Sequence, residues 1–230
     1  MAYLKYKGQR FYYKLRPLYE GLKVMNGDVA MHNLIEFKTI ADEYNFKFQL
    51  GYGTLLGAIR EHDFIAHDED IDLVAEYSQL DVLMKMLPKL IECGFEIARW
   101  DDRGFISVIR NEEYIDVYLF RKMTEKIMIC CGEPIPRQFF DETTTIAFNG
   151  CDFLIPAQYE KLMVLLYGDD WRVPVMWNDY TPSRIRRFKA CLFTYIKYYV
   201  PNFLLKPYFN KKEKQMYNKY VNNGRIQQYL

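Results

Sequence analysis

A dense run of acids is the first feature of the sequence that could carry chemistry. Asp68, Glu69, Asp70 and Asp72 follow one another closely in the stretch GYGTLLGAIREHDFIAHDEDIDLVAEY. Like charges at this spacing repel one another, so a fold that keeps them close needs a compensating cation. Carboxylate oxygens are ligands that Mg²⁺ favours, usually with substrate phosphates completing its shell. The run therefore predicts a site for a divalent cation.

Strand periodicity separates two of these acids from the others. Asp70 and Asp72 are two residues apart in the alternating segment 70–77, which predicts a strand with both acids on one face. Asp116 lies alone in a second apolar strand, YIDVYLF at 114–120, where an acid is costly unless it is paired, protonated or metal-bound. If the two strands are neighbours, three carboxylates converge on a Mg²⁺ site suited to phosphoryl transfer.

Other interpretations of the same residues were weighed on their spacing and surroundings. An EF-hand would need Gly in place of Leu73 and Glu in place of Gln79, so it is rejected. We expect Asp68 and Glu69 in the loop before the strand, outside the set of direct ligands. Two simpler interpretations stay open: the run is a solvated charge cluster, and Asp116 is a buried acid paired with an arginine.

A glycine-rich turn precedes the acidic run. Gly51, Gly53 and Thr54 come at the junction of a predicted strand (46–53) and a predicted short helix (54–61). Glycine lets a backbone approach a phosphate closely, and a helix start offers N–H donors. The order of strand, glycine turn, helix, Asp-x-Asp strand and later Asp strand resembles the nucleotidyltransferase fold of polymerase beta and its relatives.

The remaining periodicities predict an α+β fold with a mixed sheet flanked by helices. The other predicted elements are helices over 28–45 (with Asp28 as N-cap), 80–94 and 157–168, and hairpins over 95–110 and 145–156.

Charge divides the chain into three predicted parts, although the formal net charge is only +1. Residues 1–28 form a basic arm, residues 29–182 the acidic catalytic domain, and residues 183–230 a basic and aromatic tail with eleven Lys and Arg against one Glu. The tail is interpreted either as a solvated basic helix face or as an interfacial anchor on an anionic membrane. No nucleic-acid partner is expected, because the centre of the chain is acidic.

Cysteine usage and hydropathy bear on the compartment. The five cysteines contain no CxxC pair, which favours a reducing environment. The N-terminal residues lack the apolar segment of a secretory signal, and the most apolar stretch (190–205) is broken by Lys197 and Pro201. We therefore expect a cytoplasmic protein without a transmembrane span, held peripherally at a membrane if the tail is an anchor.

The glycine turn and the acidic run together resemble the signature of the LicD family, which includes the fukutins. The common pattern is Gly-Thr-Leu-Leu-Gly-Ala, an Arg, Phe-Ile, and an acidic run that ends in Asp-Ile-Asp-Leu. YIDVYLF fits the family's following Asp strand, and YGDDWRVP (167–174) fits its later Tyr-Gly-Asp-Trp element. The resemblance covers about residues 30–175. His67 departs from it, because many members carry Trp at this position.

The resemblance implies a metal-dependent phosphotransferase. Such an enzyme moves phosphocholine or an alditol phosphate from a CDP-linked donor to a hydroxyl of a glycan or glycolipid, in surface-glycan biosynthesis. By position, Asp70 and Asp72 would hold Mg²⁺ or Mn²⁺, and Asp116 would be a third ligand or the base that activates the acceptor hydroxyl. The residues implied at the donor phosphates are Gly51, Gly53, Thr54 and Arg60.

Two other functions are compatible with the sequence. The first is a nucleotidyltransferase that adds NMP to a small molecule or protein. The second is a degenerate, non-catalytic binding protein associated with a membrane, which the retention of Asp70, Asp72 and Asp116 disfavours.

Overall fold

The computed structural model describes residues 2–17, 24–174, 183–200 and 202–222, and also Gly224, Ile226 and Tyr229. The strands are β1 (Ala2–Tyr6), β2 (Gln9–Tyr13), β3 (Gln49–Leu50), β4 (Ile71–Glu76), β5 (Glu96–Asp101), β6 (Phe105–Arg110), β7 (Glu113–Lys122), β8 (Ile127–Cys130), β9 (Glu133–Pro136), β10 (Thr143–Phe148) and β11 (Cys151–Pro156). The helices are α1 (Gly27–Tyr44), α2 (Tyr52–Arg60), α3 (Leu80–Glu92), α4 (Gln138–Asp141), α5 (Tyr159–Tyr167), α6 (Arg184–Tyr199) and α7 (Asn202–Asn222).

The central sheet has the strand order β3-β4-β7-β6-β5. Strands β4 and β7 are parallel, whereas the other neighbours on this path are antiparallel, so the sheet is mixed. Strand β8 pairs with the end of β7 and then with β9. The predicted α+β fold with a mixed sheet is therefore confirmed, and the two aspartate strands are neighbours.

One face of the sheet is apolar and packs on helices. Leu73, Ile115 and Val117 alternate with the aspartates along β4 and β7 and are fully buried. Helix α1 presents a buried apolar stripe to this side, and the ring of its Phe37 meets the ring of Phe48 at 5.7 Å. The acids of β4 and β7 are thereby directed to the opposite face.

Two sequence predictions about local structure are wrong in detail. The N-cap of α1 is Asn26, whose side chain accepts a hydrogen bond from Val29 N at 3.2 Å, while Asp28 lies in the first helical turn. The strand predicted over 46–53 forms ladder pairs only at Gln49–Leu50. After Leu50 the glycine turn follows directly, and before Gln49 the backbone N–H of Lys47 donates to the side chain of Gln79 at 2.9 Å.

Two hairpins were not predicted. Strands β1 and β2 pair around Lys7 and Gly8, both of which have positive φ. Strands β8 and β9 pair around Cys131 and Gly132. The first hairpin lies in the predicted basic arm, whose boundary at residue 28 falls within α1. The boundary predicted at 182 lies outside the described residues, and the three-part division stays a prediction.

Helices α6 and α7 lie over the polar face of the sheet. Lys197 of α6 forms an ion pair with Asp101 at the end of β5. Glu213 of α7 is buried and pairs with Arg121 of β7. None of the helices in the described residues is both long and apolar enough to cross a membrane.

Candidate active site

A row of four directly paired residues crosses the sheet from β4 to β5. Asp72 on β4 pairs with Asp116 on β7. Asp116 pairs in turn with Ser107 on β6, which lies opposite Arg99 on β5. Because directly paired residues point to the same face of a sheet, the four side chains share one face. Asp70, two residues ahead of Asp72, adds its carboxylate to the row.

The structure brings the three predicted carboxylates together. Oxygen atoms of Asp70, Asp72 and Asp116 all lie within 4.8 Å of one another, a spacing that a single cation can bridge. Burial, reinforced by repulsion between the acids, raises the pKa of Asp70 and Asp72 well above the ordinary carboxyl value. Neither of these two acids forms an ion pair within the described part of the chain. The donor set and its uncompensated charge therefore fit a divalent metal ion.

Asp116 differs from the other two acids because it already has a cation partner. Arg99 Nη2 donates to both carboxylate oxygens at 3.0 Å, and Ser107 Oγ donates to Oδ1 at 2.5 Å. Burial raises the pKa of Asp116, while Arg99 and Ser107 oppose that rise. The sequence left two alternatives for this acid, a metal ligand or a buried partner of an arginine. The structure places Asp116 both in the acidic cluster and against an arginine.

Arg99 reaches the row through a β-bulge. The register between β5 and β6 shifts between Ile97 and Arg99, so Ala98 has no partner and Arg99 lies opposite Ser107. The carbonyl oxygen of Ala98 accepts instead from the backbone N–H of Arg16 at 3.2 Å. Bulges commonly re-aim side chains beside functional sites. Strict alternation along β5 would place Ala98 opposite Ser107, so the sequence pattern alone does not indicate Arg99.

The glycine turn supports Asp72 directly. Thr54 is fully buried, and its Oγ1 accepts from the backbone N–H of Asp72 at 2.8 Å. The N–H of Gly53 donates to Asp72 Oδ2 at 3.3 Å. A Cβ on Gly51 would lie 2.4 Å from a methyl of Val74, so only glycine fits beside β4. A contact of Gly51, Gly53 and Thr54 with donor phosphates stays a prediction. Because the side chain of Thr54 is buried, Thr54 would have to make that contact through its backbone.

Tyr52 and Asp68 complete the surroundings of the turn. Tyr52 has a φ of 39°, an uncommon conformation for a residue with a side chain, and its hydroxyl donates to Glu133 at 2.9 Å. Asp68 lies against Gly53, where a Cβ would be 2.6 Å from Asp68 Oδ2. Burial raises the pKa of Asp68 to about 6, and its Oδ2 has no hydrogen-bond partner among the described residues. Asp68 thus lies beside the cluster, and its charge adds to the repulsion that raises the pKa of Asp70 and Asp72.

Arg60 is not brought to the carboxylates. It lies at the end of α2, whereas the glycine turn lies at the start of the same helix. Its Nη1 donates to the carbonyl oxygen of Trp171 at 3.1 Å, and its Nε donates to Glu61 at 2.7 Å. In this position Arg60 ties α2 to the YGDDWRVP segment. Its predicted role at the pyrophosphate stays a prediction.

A cleft of about 1190 Å³ opens in front of the row. Its floor includes Asp70, Asp116 and Arg99 from the sheet side. Its other walls come from the β1–β2 hairpin and from α6 and α7, which contribute Lys197 and Lys206 among other residues. The cleft is large enough for a nucleotide-sized ligand, since small-molecule pockets commonly measure about 300–1,000 Å³.

Comparison with known proteins agrees with this geometry. The family model "LicD/FKTN/FKRP, nucleotidyltransferase domain" matches residues 45–158, about half of the chain, from before the glycine turn to beyond β11. An uncharacterized protein of Rickettsia typhi is 30% identical over 98 residues, which is 43% of this chain and only 30% of that protein.

Two solved structures are similar in shape. The antibiotic-resistance factor ANT(2'')-Ia has a TM-score of 0.50 at 13% identity, over 89% of this chain and 100% of that chain. The lincosamide antibiotic adenylyltransferase LnuA has a TM-score of 0.46 at 13% identity, over 74% of this chain and 99% of that chain. The first likeness shows the fold alone. This likeness supports a nucleotidyltransferase fold. The family match, which covers the glycine turn and both aspartate strands, shows that the chain belongs to the LicD family.

Proposed function

We propose that this protein is a divalent-metal-dependent phosphotransferase that moves a phospho-alcohol group from a CDP-linked donor to a hydroxyl of a glycan or glycolipid. Membership of the LicD family supports a phosphotransferase and glycan-modifying role in general terms. The observation that carries the proposal is the cluster of Asp70, Asp72 and Asp116. Two of these acids, Asp70 and Asp116, line the cleft.

The three carboxylates would hold Mg²⁺ or Mn²⁺. When bound, such an ion neutralises charge on the phosphates and on the leaving group in phosphoryl transfer. The chain keeps two of these ligands in fixed orientations. Asp72 is held through Gly53 and Thr54, and Asp116 is held through Ser107 and Arg99. Pre-set ligands lose little conformational freedom when substrate arrives.

The first turn of α2 would receive the donor phosphates. The start of a helix carries a partial positive charge and backbone N–H donors, which favour an anion. A Cβ on Gly51 would meet Val74 and one on Gly53 would meet Asp68, so the two glycines let the turn pack closely against β4 and the acidic run. Arg60 would reach a pyrophosphate only by leaving its contacts with Trp171 and Glu61.

The proposed transfer breaks the pyrophosphate bond between the CMP moiety and the phosphorus that carries the alcohol. A new bond joins that phosphorus to the acceptor oxygen, and CMP leaves. The acceptor hydroxyl gives up its proton to solvent or to a carboxylate base. Asp116 is either a third ligand or that base. Its bonds with Arg99 and Ser107 favour the ionised form, whereas burial raises its pKa.

Calorimetry with CDP-linked compounds tests the proposal. We expect CDP-choline or CDP-ribitol to bind in the presence of Mg²⁺ and not in its absence. A ligand at a hundredfold excess over its Kd stabilises a protein by about 2.7 kcal/mol, which a thermal-shift screen detects. The exposed Asp152 on β11 offers a matched control, because Asp152→Asn removes one acid of the same type that is not part of the cluster.

Phosphorus NMR then separates the proposed activity from its alternatives. Release of CMP from the bound donor supports phosphotransfer. Transfer of labelled nucleotide from an NTP, with release of pyrophosphate, would instead identify a nucleotidyltransferase. A protein without any Mg²⁺-dependent nucleotide binding would overturn the proposal in favour of a non-catalytic binding protein.

A further inference from the structure

Helix α6 has its apolar side turned outward. Its inner side, which faces the sheet, is only partly exposed and contains Arg187, Ala190, Cys191, Thr194, Lys197 and Tyr198. Its outer side, which we call the outer stripe, consists of Ile185, Phe188, Leu192, Tyr195, Ile196 and Tyr199. The spacing of both sets is helical, so each forms a continuous stripe along the axis.

This arrangement is the reverse of the usual one for a helix on a globular protein, where the apolar stripe faces the core. Phe188 is 68% exposed and Tyr199 76% exposed, although both are large apolar side chains. The first turn of α7, which follows α6 in the chain, also exposes large apolar side chains, Phe203 at 72% and Leu204 at 59%. Contiguous apolar patches of this kind mark interaction sites for proteins or membranes.

The charge around the outer stripe selects the partner. Residues 183–230 contain eleven Lys and Arg and a single acid, Glu213. Glu213 is buried against Arg121, so it does not contribute negative charge to the surface. Arg184, Arg186 and Lys189 are exposed at the start of α6, beside the stripe. A second copy of this chain would bring like charges together, whereas an anionic surface would complement them.

We propose that the outer stripe and the first turn of α7 dock on an anionic lipid bilayer. Aliphatic and phenylalanine side chains enter the boundary between headgroups and acyl chains. Tyrosine rings lie at the headgroup level, and Lys and Arg pair with lipid phosphates. This inference goes beyond the proposed function and does not depend on it.

Docking in this way places the cleft next to the lipid. Thr194, Lys197 and Tyr198 of the inner side line the cleft together with Asp70 and Asp116. A single helix layer, about 10 Å thick, therefore separates the bilayer from the cleft. If the proposed transfer is correct as well, this distance suits an acceptor that is itself anchored in the lipid.

Vesicle co-sedimentation tests the apolar part of the proposal. We expect the full chain to sediment with vesicles of mixed phosphatidylglycerol and phosphatidylcholine, and far less with phosphatidylcholine alone. Phe188→Ser and Leu192→Ser should each weaken binding about tenfold or more, because each removes a large apolar side chain from the docking face. Ile91→Ser is the matched control, since Ile91 is 44% exposed on α3. It should leave vesicle binding unchanged.

Charge reversal tests the electrostatic part. Arg186→Glu combined with Lys189→Glu should weaken binding to the anionic vesicles more than about tenfold, and added salt should weaken wild-type binding. Lys85→Glu on α3 is the matched control, because Lys85 is also exposed. It should have little effect.

Three results would overturn the inference: a wild-type chain that stays in the supernatant, equal vesicle binding by Phe188→Ser and wild type, or a dimer that forms through the outer stripe without lipid. Sedimentation velocity detects the dimer. Asp72→Asn, which tests the metal site, should still bind vesicles, and Leu192→Ser should still bind Mn²⁺. Failure of membrane docking is thereby distinguishable from failure of the proposed function.

Discussion

Arg99 and Asp116 form a buried ion pair in which one guanidinium nitrogen contacts both carboxylate oxygens at 3.0 Å. The guanidinium also lies 5.4 Å from the ring centroids of Phe105 and Tyr114, which limit its movement. Arg99 therefore supplies a positive charge at the same carboxylate that would bind a metal ion. A metal ion bound by the cluster would compete with Arg99 for Asp116, and this competition would have measurable consequences.

Arg99→Gln should change metal-free stability and metal response in opposite directions. Removing one partner of a buried pair costs about 3 kcal/mol, because the remaining charge is left unpaired. A metal ion would then relieve a larger unfavourable charge, so the rise in Tm on adding Mn²⁺ should exceed that of wild type. Thermal unfolding with and without Mn²⁺ measures both effects. A smaller Mn²⁺ response in the variant would show that Arg99 positions Asp116 for the metal and does not compete with it.

Asp72→Asn should abolish Mn²⁺ binding and keep the fold. Asparagine retains an oxygen that can accept from Gly53 N–H, but it removes one negative charge from a crowded cluster. We therefore expect metal-free Tm equal to or above that of wild type, with no further rise on adding Mn²⁺. Electron paramagnetic resonance of Mn²⁺ measures the bound fraction. Asp152→Asn should bind Mn²⁺ like wild type, and normal binding by Asp72→Asn would contradict the assignment of this ligand.

The buried hydroxyl of Thr54 should matter through Asp72. Thr54→Val keeps the shape but leaves the backbone N–H of Asp72 unsatisfied, which costs about 1–3 kcal/mol. It should also lower Mn²⁺ affinity, because β4 would no longer be held at Asp72. Thr54→Ser keeps the acceptor oxygen and should keep Mn²⁺ affinity. Denaturant unfolding and Mn²⁺ titration separate the two variants, and equal affinities for Val and Ser would contradict the supporting role.

The ion pair between Asp101 and Lys197 should make the packing of α6 against the sheet sensitive to acid. Burial acts to raise the pKa of this carboxyl, but Arg103 and Lys197 outweigh burial and hold the pKa well below its usual range. A carboxyl with a lowered pKa in the folded state contributes stability above its unfolded-state value of about 3.9. That contribution is lost as the pH falls from there through the folded-state value.

Asp101→Asn should therefore be destabilised by about 3 kcal/mol at pH 7, with a difference from wild type that shrinks toward acid pH. Chemical unfolding at a series of pH values measures the difference. The exposed pair between Lys38 and Asp42 gives the control, because Asp42→Asn should cost at most about 0.5 kcal/mol across the same pH series. A difference for Asp101→Asn that stays constant with pH would contradict the assigned ion pair.

The convergence of Asp70, Asp72 and Asp116 could be predicted because it rests on strong local patterns. Period-two alternation set the face of the first two acids, and the apolar surroundings of Asp116 marked it as an expensive buried charge. The glycine turn and the short helix after it could also be predicted from the sequence. Gly51 is needed because of a close approach that no larger residue could make.

The positions of Arg99 and Ser107 could not be predicted from the sequence, for reasons that the structure makes clear. Arg99 depends on a bulge that interrupts the alternation on which strand faces are predicted. Ser107 owes its position to cross-strand pairing with Asp116, which leaves no local signal. Two hairpins were missed, although Gly8 and Gly132 were present as turn signals, and Pro134 and Pro136 made β9 a poor strand candidate.

The pairing of Asp72 with Asp116 joins two strands that are about forty residues apart in the chain. Parallel pairings of this kind form slowly, because the entropy of closing a long loop is lost before the contacts between the strands can stabilise it. A slip of one residue in either strand would turn the aspartate to the apolar face. The acidic cluster therefore forms only once β4 and β7 are paired in register. If the cluster binds Mn²⁺, the onset of binding during refolding should coincide with that pairing.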